Sequence, residues 1–126
     1  SSWRTWMGNF GIPPGPTLTT TAMFNGMPVS LMLENADPFE LVYFIWSANG
    51  TGSGPCFSGL GGLCVDILYP VKLAGTATAD STGYASMVKN IPASAPNITI
   101  WVQAVMQRGV AGADSVKSNV AFDDIK

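Results

Sequence analysis

Thr17-Leu18-Thr19-Thr20-Thr21-Ala22-Met23-Phe24-Asn25-Gly26-Met27-Pro28-Val29-Ser30-Leu31-Met32-Leu33-Glu34 reads as a chain that runs out, turns and comes back. Asn25-Gly26 is a strong hairpin signal, because both residues tolerate the positive φ that tight turns between strands require. After the turn, Pro28 to Glu34 alternates, with Val29, Leu31 and Leu33 on one face. That period of two is the mark of a half-buried strand. Before it, Thr17 to Phe24 is rich in threonine, a residue that suits a pleated surface.

The same pattern repeats downstream. Asn35-Ala36-Asp37-Pro38 supplies a turn, Glu40 to Ala48 an apolar strand, Val71 to Ala79 another, and Asp80-Ser81-Thr82-Gly83 the next turn. Tyr84 to Ile91 pairs back, Pro92 to Asn97 crosses over, Ile98 to Gln107 forms a long strand, and Ser115 to Phe122 closes the domain after a Gly/Ala loop. About seven strands with frequent turn signals and no helix-period segment predict an all-β fold. The specific expectation is an immunoglobulin-like antiparallel Greek-key sandwich. Residues 17–126 form that domain and residues 1–16 an extended N-terminal arm.

At 126 residues the chain suits one domain. Charged residues are 11% of it, hydrophobic ones 47%, and the net charge is −2. Roughly 25% charged residues is typical of soluble domains, so the surface is sparsely charged. There is no histidine, which excludes Ser-His-Asp and Cys-His catalysis, a histidine zinc site and a histidine pH switch. Six basic residues in a net-acidic chain argue against a nucleic-acid partner. The longest apolar run, Leu41 to Trp46, is strand-sized, far short of the roughly 20 residues of a transmembrane helix. The chain opens Ser1-Ser2-Trp3, without an initiator Met or a signal peptide, and reads as a mature exported chain or a trimmed one.

Cys56 and Cys64 bracket Phe57-Ser58-Gly59-Leu60-Gly61-Gly62-Leu63, a loop able to fold back on itself. The alternatives are a disulfide, a reactive pair or half of a metal site. The sequence supplies no further ligands and no nearby Lys, Arg or His to lower a thiol pKa. A structural disulfide is the expectation, and with it an oxidising, extracellular or cell-surface location.

The linking of Thr76 to Ala85, with its Ala79-Asp80-Ser81-Thr82-Gly83 turn, to Ile91-Pro92-Ala93-Ser94-Ala95-Pro96 resembles secreted bacterial Ig-like surface modules. There a hairpin ending in Ala-Asp-x-x-Gly leads to such a crossover. Gly54-Pro55-Cys56 and Gly61-Gly62-Leu63-Cys64-Val65-Asp66-Ile67-Leu68 look like a Cys-bridged subgroup of these modules. The resemblance covers about residues 17–122. It implies a sandwich and export, and no catalytic residues.

Two strands break the alternation expected of a sheet with one wet face. Leu41 to Trp46 is large and apolar at both parities. In Ile98 to Met106, Ile98, Ile100, Val102, Ala104 and Met106 would face inward, leaving Trp101 and Val105 outward beside Thr99 and Gln103. If the two strands are neighbours, Leu41, Tyr43, Ile45, Trp101 and Val105 merge into an apolar sheet face of the kind that marks an interface. The competing reading is a different register, or coverage by the disulfide loop. The arm adds Trp3, Trp6, Met7, Phe10 and Ile12 ahead of the semi-rigid Pro13-Pro14-Gly15-Pro16. Those groups would dock on their own sandwich or on another copy, where strand addition would satisfy an open sheet edge.

Other chemistry is weakly signalled. Asp66, Asp80, Asp114, Asp123 and Asp124 could offer calcium oxygens but form no D-x-D-x-D-G loop. Glu34 and Glu40 look like strand ends rather than a glycosidase pair. Gly59 to Gly62 lacks the helix and lysine of a phosphate loop. Asn49-Gly50-Thr51 and Asn97-Ile98-Thr99 are N-glycosylation acceptor patterns, weighed against how often turns use these residues. Trp3 and Trp101 keep a carbohydrate ligand open, since indole rings stack on sugars, whereas Trp46 reads as core or interface. The function these features predict is a secreted, non-enzymatic structural subunit that self-assembles, as a homopolymer in an extracellular filament, without cofactor or metal. The alternative is a carbohydrate- or protein-binding module of a larger surface protein.

Overall fold

The computed structural model describes residues 15–126. Ten antiparallel strands follow one another: β1 (Thr17–Thr20), β2 (Pro28–Glu34), β3 (Leu41–Ser47), β4 (Cys56–Phe57), β5 (Leu63–Cys64), β6 (Lys72–Thr78), β7 (Ala85–Asn90), β8 (Thr99–Met106), β9 (Val116–Lys117) and β10 (Ala121–Asp124). The only helical elements among the described residues are two single 3-10 turns, Ser58–Leu60 and Val110–Gly112. One sheet has the order β1-β2-β7 and the other β10-β8-β3-β6, with β9 also on β8. The two pack as a sandwich, and β4 and β5 form a small hairpin apart from them.

The alternation of Val29, Leu31 and Leu33 works as the sequence predicts, because all three are buried between the sheets. They meet Val42 and Phe44 from β3 and Val102, Ala104 and Met106 from β8 in one continuous core. The Asn25-Gly26 turn also forms. Gly26 takes φ 74° and the Met27 amide donates to Phe24 O at 3.2 Å. The first strand is shorter than the expected Thr17 to Phe24. After Thr20 the chain leaves β2 for the C-terminal segment, where Asp123 accepts from the Met23 amide at 2.8 Å and Met23 O from the Lys126 amide at 2.9 Å. Similarly, the expected strand Ser115 to Phe122 is divided. Ser118 turns inward between β9 and β10, its Oγ accepting from the Ala104 amide at 2.9 Å.

Residues 48–71 make an excursion between β3 and β6 that doubles back on itself. The Gly52 amide donates to Asp66 O, the Gly54 amide to Val65 O and the Val65 amide to Pro55 O, at 2.9–3.0 Å. A β-carbon at Gly54 would lie 2.0 Å from Ile67 O, so the two arms approach too closely for any other residue. At the tip Cys56 stands directly opposite Cys64 in the β4–β5 register, and the two are joined by a disulfide.

Candidate functional site

The register brings together most of the residues expected on an apolar sheet face, and then covers them. Tyr43 pairs with Val105, Ile45 with Gln103 and Ser47 with Trp101, so these side chains share the outer face of the larger sheet. They are not free for a partner. Ile45 and Val105 are 8% and 4% exposed, packed under Val65 and Ile67 of the excursion, with Tyr43 and Trp101 half-buried at its margins. Leu41 alone of the five stays exposed, at the strand start. The expected interface is therefore a second, smaller core. The reason is elementary: a bare patch of this size is unfavourable in water, and the chain carries its own cover.

Gln103 fastens that cover. It is wholly buried, and its Oε1 accepts from the Asp66 amide at 2.9 Å. Its Nε2 donates to Asp66 Oδ2 at 2.9 Å and to Ser118 O at 2.7 Å. Lys117 Nζ completes the cluster by donating to Asp66 Oδ1 at 3.0 Å and Cys64 O at 2.9 Å. Burial pushes the Asp66 carboxyl up, but the hydrogen bonds from Lys117 and Gln103 outweigh it and hold the group below the usual aspartate value. A carboxylate so thoroughly occupied is a clamp rather than a base.

Several other carboxylates are also engaged. Glu40 receives both Arg108 Nε and a terminal Arg108 nitrogen at 2.7 Å, while Asp37 lies 3.4 Å from Nε. Desolvation opposes ionisation of Glu40, yet the Arg108 pairing and the Asp37 amide lower its pKa overall. Asp80 caps its turn by accepting from the Thr82 and Tyr84 amides. Glu34 ends β2 in the opposite sheet, so Glu34 and Glu40 do not form a matched pair. Among the described residues no three of His, Cys, Asp or Glu gather as a metal site would require. Asn49 and Asn97 both lie exposed in loops, but the Asn97 amide donates to Ile125 O at 2.9 Å. Trp3, Trp6, Met7, Phe10 and Ile12 lie outside the described residues.

The described residues also form a concave site that the sequence does not flag. A cleft of about 580 Å³ opens between the two sheets at one end of the sandwich. Its walls are Val29 and Leu31 from one sheet and Trp46, Ala74, Ile100 and Val102 from the other. The Ile91–Ile98 crossover forms the mouth and Ile125 part of the lining. Several of these are core residues, so the cleft reaches the hydrophobic core itself. Two features shape it. Phe44 pairs with Gly75 and Ile45 with Leu73, leaving Ala74 as an unopposed bulge residue on β6. Pro92, Ala95 and Pro96 then cross the end as small or ring-closed groups that fill little space. The polar contribution is confined to Lys89, Asn90 and Ser94 beside the crossover. The lining is otherwise apolar.

Compared with known proteins, the chain matches no family model and no curated sequence.

Proposed function

We propose that this chain is a secreted, non-enzymatic structural subunit that assembles with copies of itself into an extracellular filament. Residues 1–14 of one copy occupy the end cleft of the next. The cleft takes the role that the sequence alone assigned to the sheet face. One observation carries the reading: an apolar opening into the core of a chain whose first twelve residues include Trp3, Trp6, Met7, Phe10 and Ile12. Gly15 supports it by position. Thr17 pairs with Glu34, and Asn35 donates to Gly15 O at 3.3 Å, so the arm departs at the Glu34 end of β2. Val29 of the cleft lies near the other end of the same strand and Leu31 at its middle. A donor and a receptor at opposite ends give a heterologous, open-ended contact, the geometry of a filament. The disulfide is compatible with export, as is the resemblance to secreted bacterial Ig-like modules.

Burying each large arm residue contributes roughly 1.5–3 kcal/mol before the cost of ordering the arm is deducted. Trp6→Asp and Phe10→Asp in the full chain should therefore shift sedimentation from large species to monomer while unfolding transitions stay unchanged. A wild-type chain that sediments as a monomer at high concentration would overturn the reading.

A second reading has one observation in its favour. Phe122, 66% exposed, pairs across β10–β8 with Trp101, an aromatic platform of the kind that stacks on sugars. It would make the chain a carbohydrate-binding module.

A further inference from the structure

The two ends of the sandwich differ in charge as well as in shape. The end from which the arm departs carries Glu34, Asp37, Glu40, Asp80 and Asp114 against Arg108, while Lys117, opposite Val105 near the same end of β8, is paired with Asp66. Backbone and side-chain bonds tie most of them together. Glu40 holds Arg108, the Phe39 amide donates to Asp80 O, and the Asp114 amide donates to Arg108 O. Five carboxylates against one guanidinium leave this end strongly negative. At the cleft end the balance reverses. Lys89 lines the cleft, Lys72 lies 5.3 Å from the Trp46 ring, and Lys126 pairs with Asp123 at 2.8 Å. Asp123 and Asp124 offset two of these three lysines. Among the described residues Lys72 and Lys89 make no ion pair.

Both ends also expose large apolar side chains. Phe24, Met27 and Ile98 surround the cleft end at 43%, 53% and 39% exposure. At the arm end Phe39 and Val110 stand 70% and 90% exposed. Phe39 and Ala111, next to Val110, both have positive φ, 61° and 54°. For residues other than glycine that conformation is sparsely populated, and it concentrates at functional surfaces.

We infer that the acidic, Phe39–Val110 end of one copy seats on the lysine-rimmed cleft end of the next, an end-to-end surface that fixes the polarity of the assembly. This rests on the self-association proposed above and adds a contact that the arm alone does not supply. The apolar groups form the centre, and Lys72 and Lys89 meet the carboxylates around it. Such charge complementarity steers encounter and rejects the reversed pairing, where acidic end would face acidic end. It also makes assembly sensitive to salt, because rim charges are screened over about 8–10 Å at ordinary ionic strength.

The experiment uses two full-length variants with charges reversed at one end each. K72E/K89E is acidic at both ends, and E34K/D114K makes the arm end less acidic and more basic. Sedimentation velocity at low salt should show each variant needing about tenfold more protein to assemble than wild type. A 1:1 mixture should assemble better than either alone, because the acidic arm end of the first meets the unchanged lysines at the cleft end of the second, and the acidic cleft end of the first meets a neutralised arm end. Recovery in the mixture also shows that both variants are folded. Wild-type assembly should weaken as salt rises. If wild type assembles but salt and both charge reversals leave it unchanged, the end-to-end surface is wrong and the arm-in-cleft contact stands alone. If wild type does not assemble at any salt concentration, both proposals fall.

Discussion

Gln103 is a glutamine in the middle of an apolar strand, on the face shared by Trp101 and Val105, and its position was a legible sign. A polar side chain there is either wet or paired in the interior, and here it is fully buried with three hydrogen bonds. The sequence placed it outward correctly but gave no means of telling that outward was also inside. The residues that would have answered this, Asp66 and Ser118, are far along the chain and unremarkable by type. The carboxylates at this scale predict an acid response. Glu40 and Asp66 both have pKa values lowered on folding. A depressed carboxylate contributes stability that is fully present above its unfolded value and lost as pH falls through its folded one. Chemical denaturation should therefore show constant stability from neutral pH down to about 5 and a decline below about 4.5, the ordinary glutamate value. In R108Q the acid decline should be shallower, since Glu40 loses the partner that lowers its pKa. An equally steep decline in that variant would remove Glu40 from the account.

Elements were read more reliably than their contacts. The turns at Asn25-Gly26 and Asp80 to Gly83 were visible because local chemistry determines them, and so were the strands beside them, except that β1 ends at Thr20 rather than Phe24. The all-β sandwich was visible for the same reason. Less visible was the excursion of residues 48–71. Its glycines and cysteines announced a loop, but nothing local says on which face a loop comes to rest. Val65 and Ile67, buried against Ile45 and Val105, decide that through packing between segments distant in sequence. The cleft was hidden similarly, since it depends on a bulge at Ala74 and on the small residues of the crossover at the other side of the sandwich. The disulfide is a tether within this element rather than its only fastening. Closing so short a loop contributes about 2–3 kcal/mol in the chain-entropy model, while Gln103, Asp66 and Lys117 hold the base independently. Replacing both Cys56 and Cys64 by Ser should lower unfolding stability by about that amount and preserve the cooperative transition. Loss of the folded state altogether would mean that the excursion depends on the bridge.

At the scale of the whole molecule, the distribution of apolar surface matters more than its total. The sandwich covers the sheet face that looked exposed and keeps its core open at one end, while Gly15 lies beside Asn35 at the other. In the proposed assembly a low density of surface charge would be acceptable, because neighbouring copies would cover much of the surface. The claim that arm and cleft meet between copies is open to direct measurement. A photoreactive residue at Trp6, introduced into full-length protein made in light and heavy isotopic forms and mixed before irradiation, records both where the arm docks and in which copy. The account predicts cross-links from position 6 to the Ile91–Ile98 crossover or the neighbouring Lys89 and Asn90, with light–heavy pairs in statistical proportion to light–light ones. Cross-links confined to light–light and heavy–heavy pairs would place the arm on its own sandwich and contradict assembly through it.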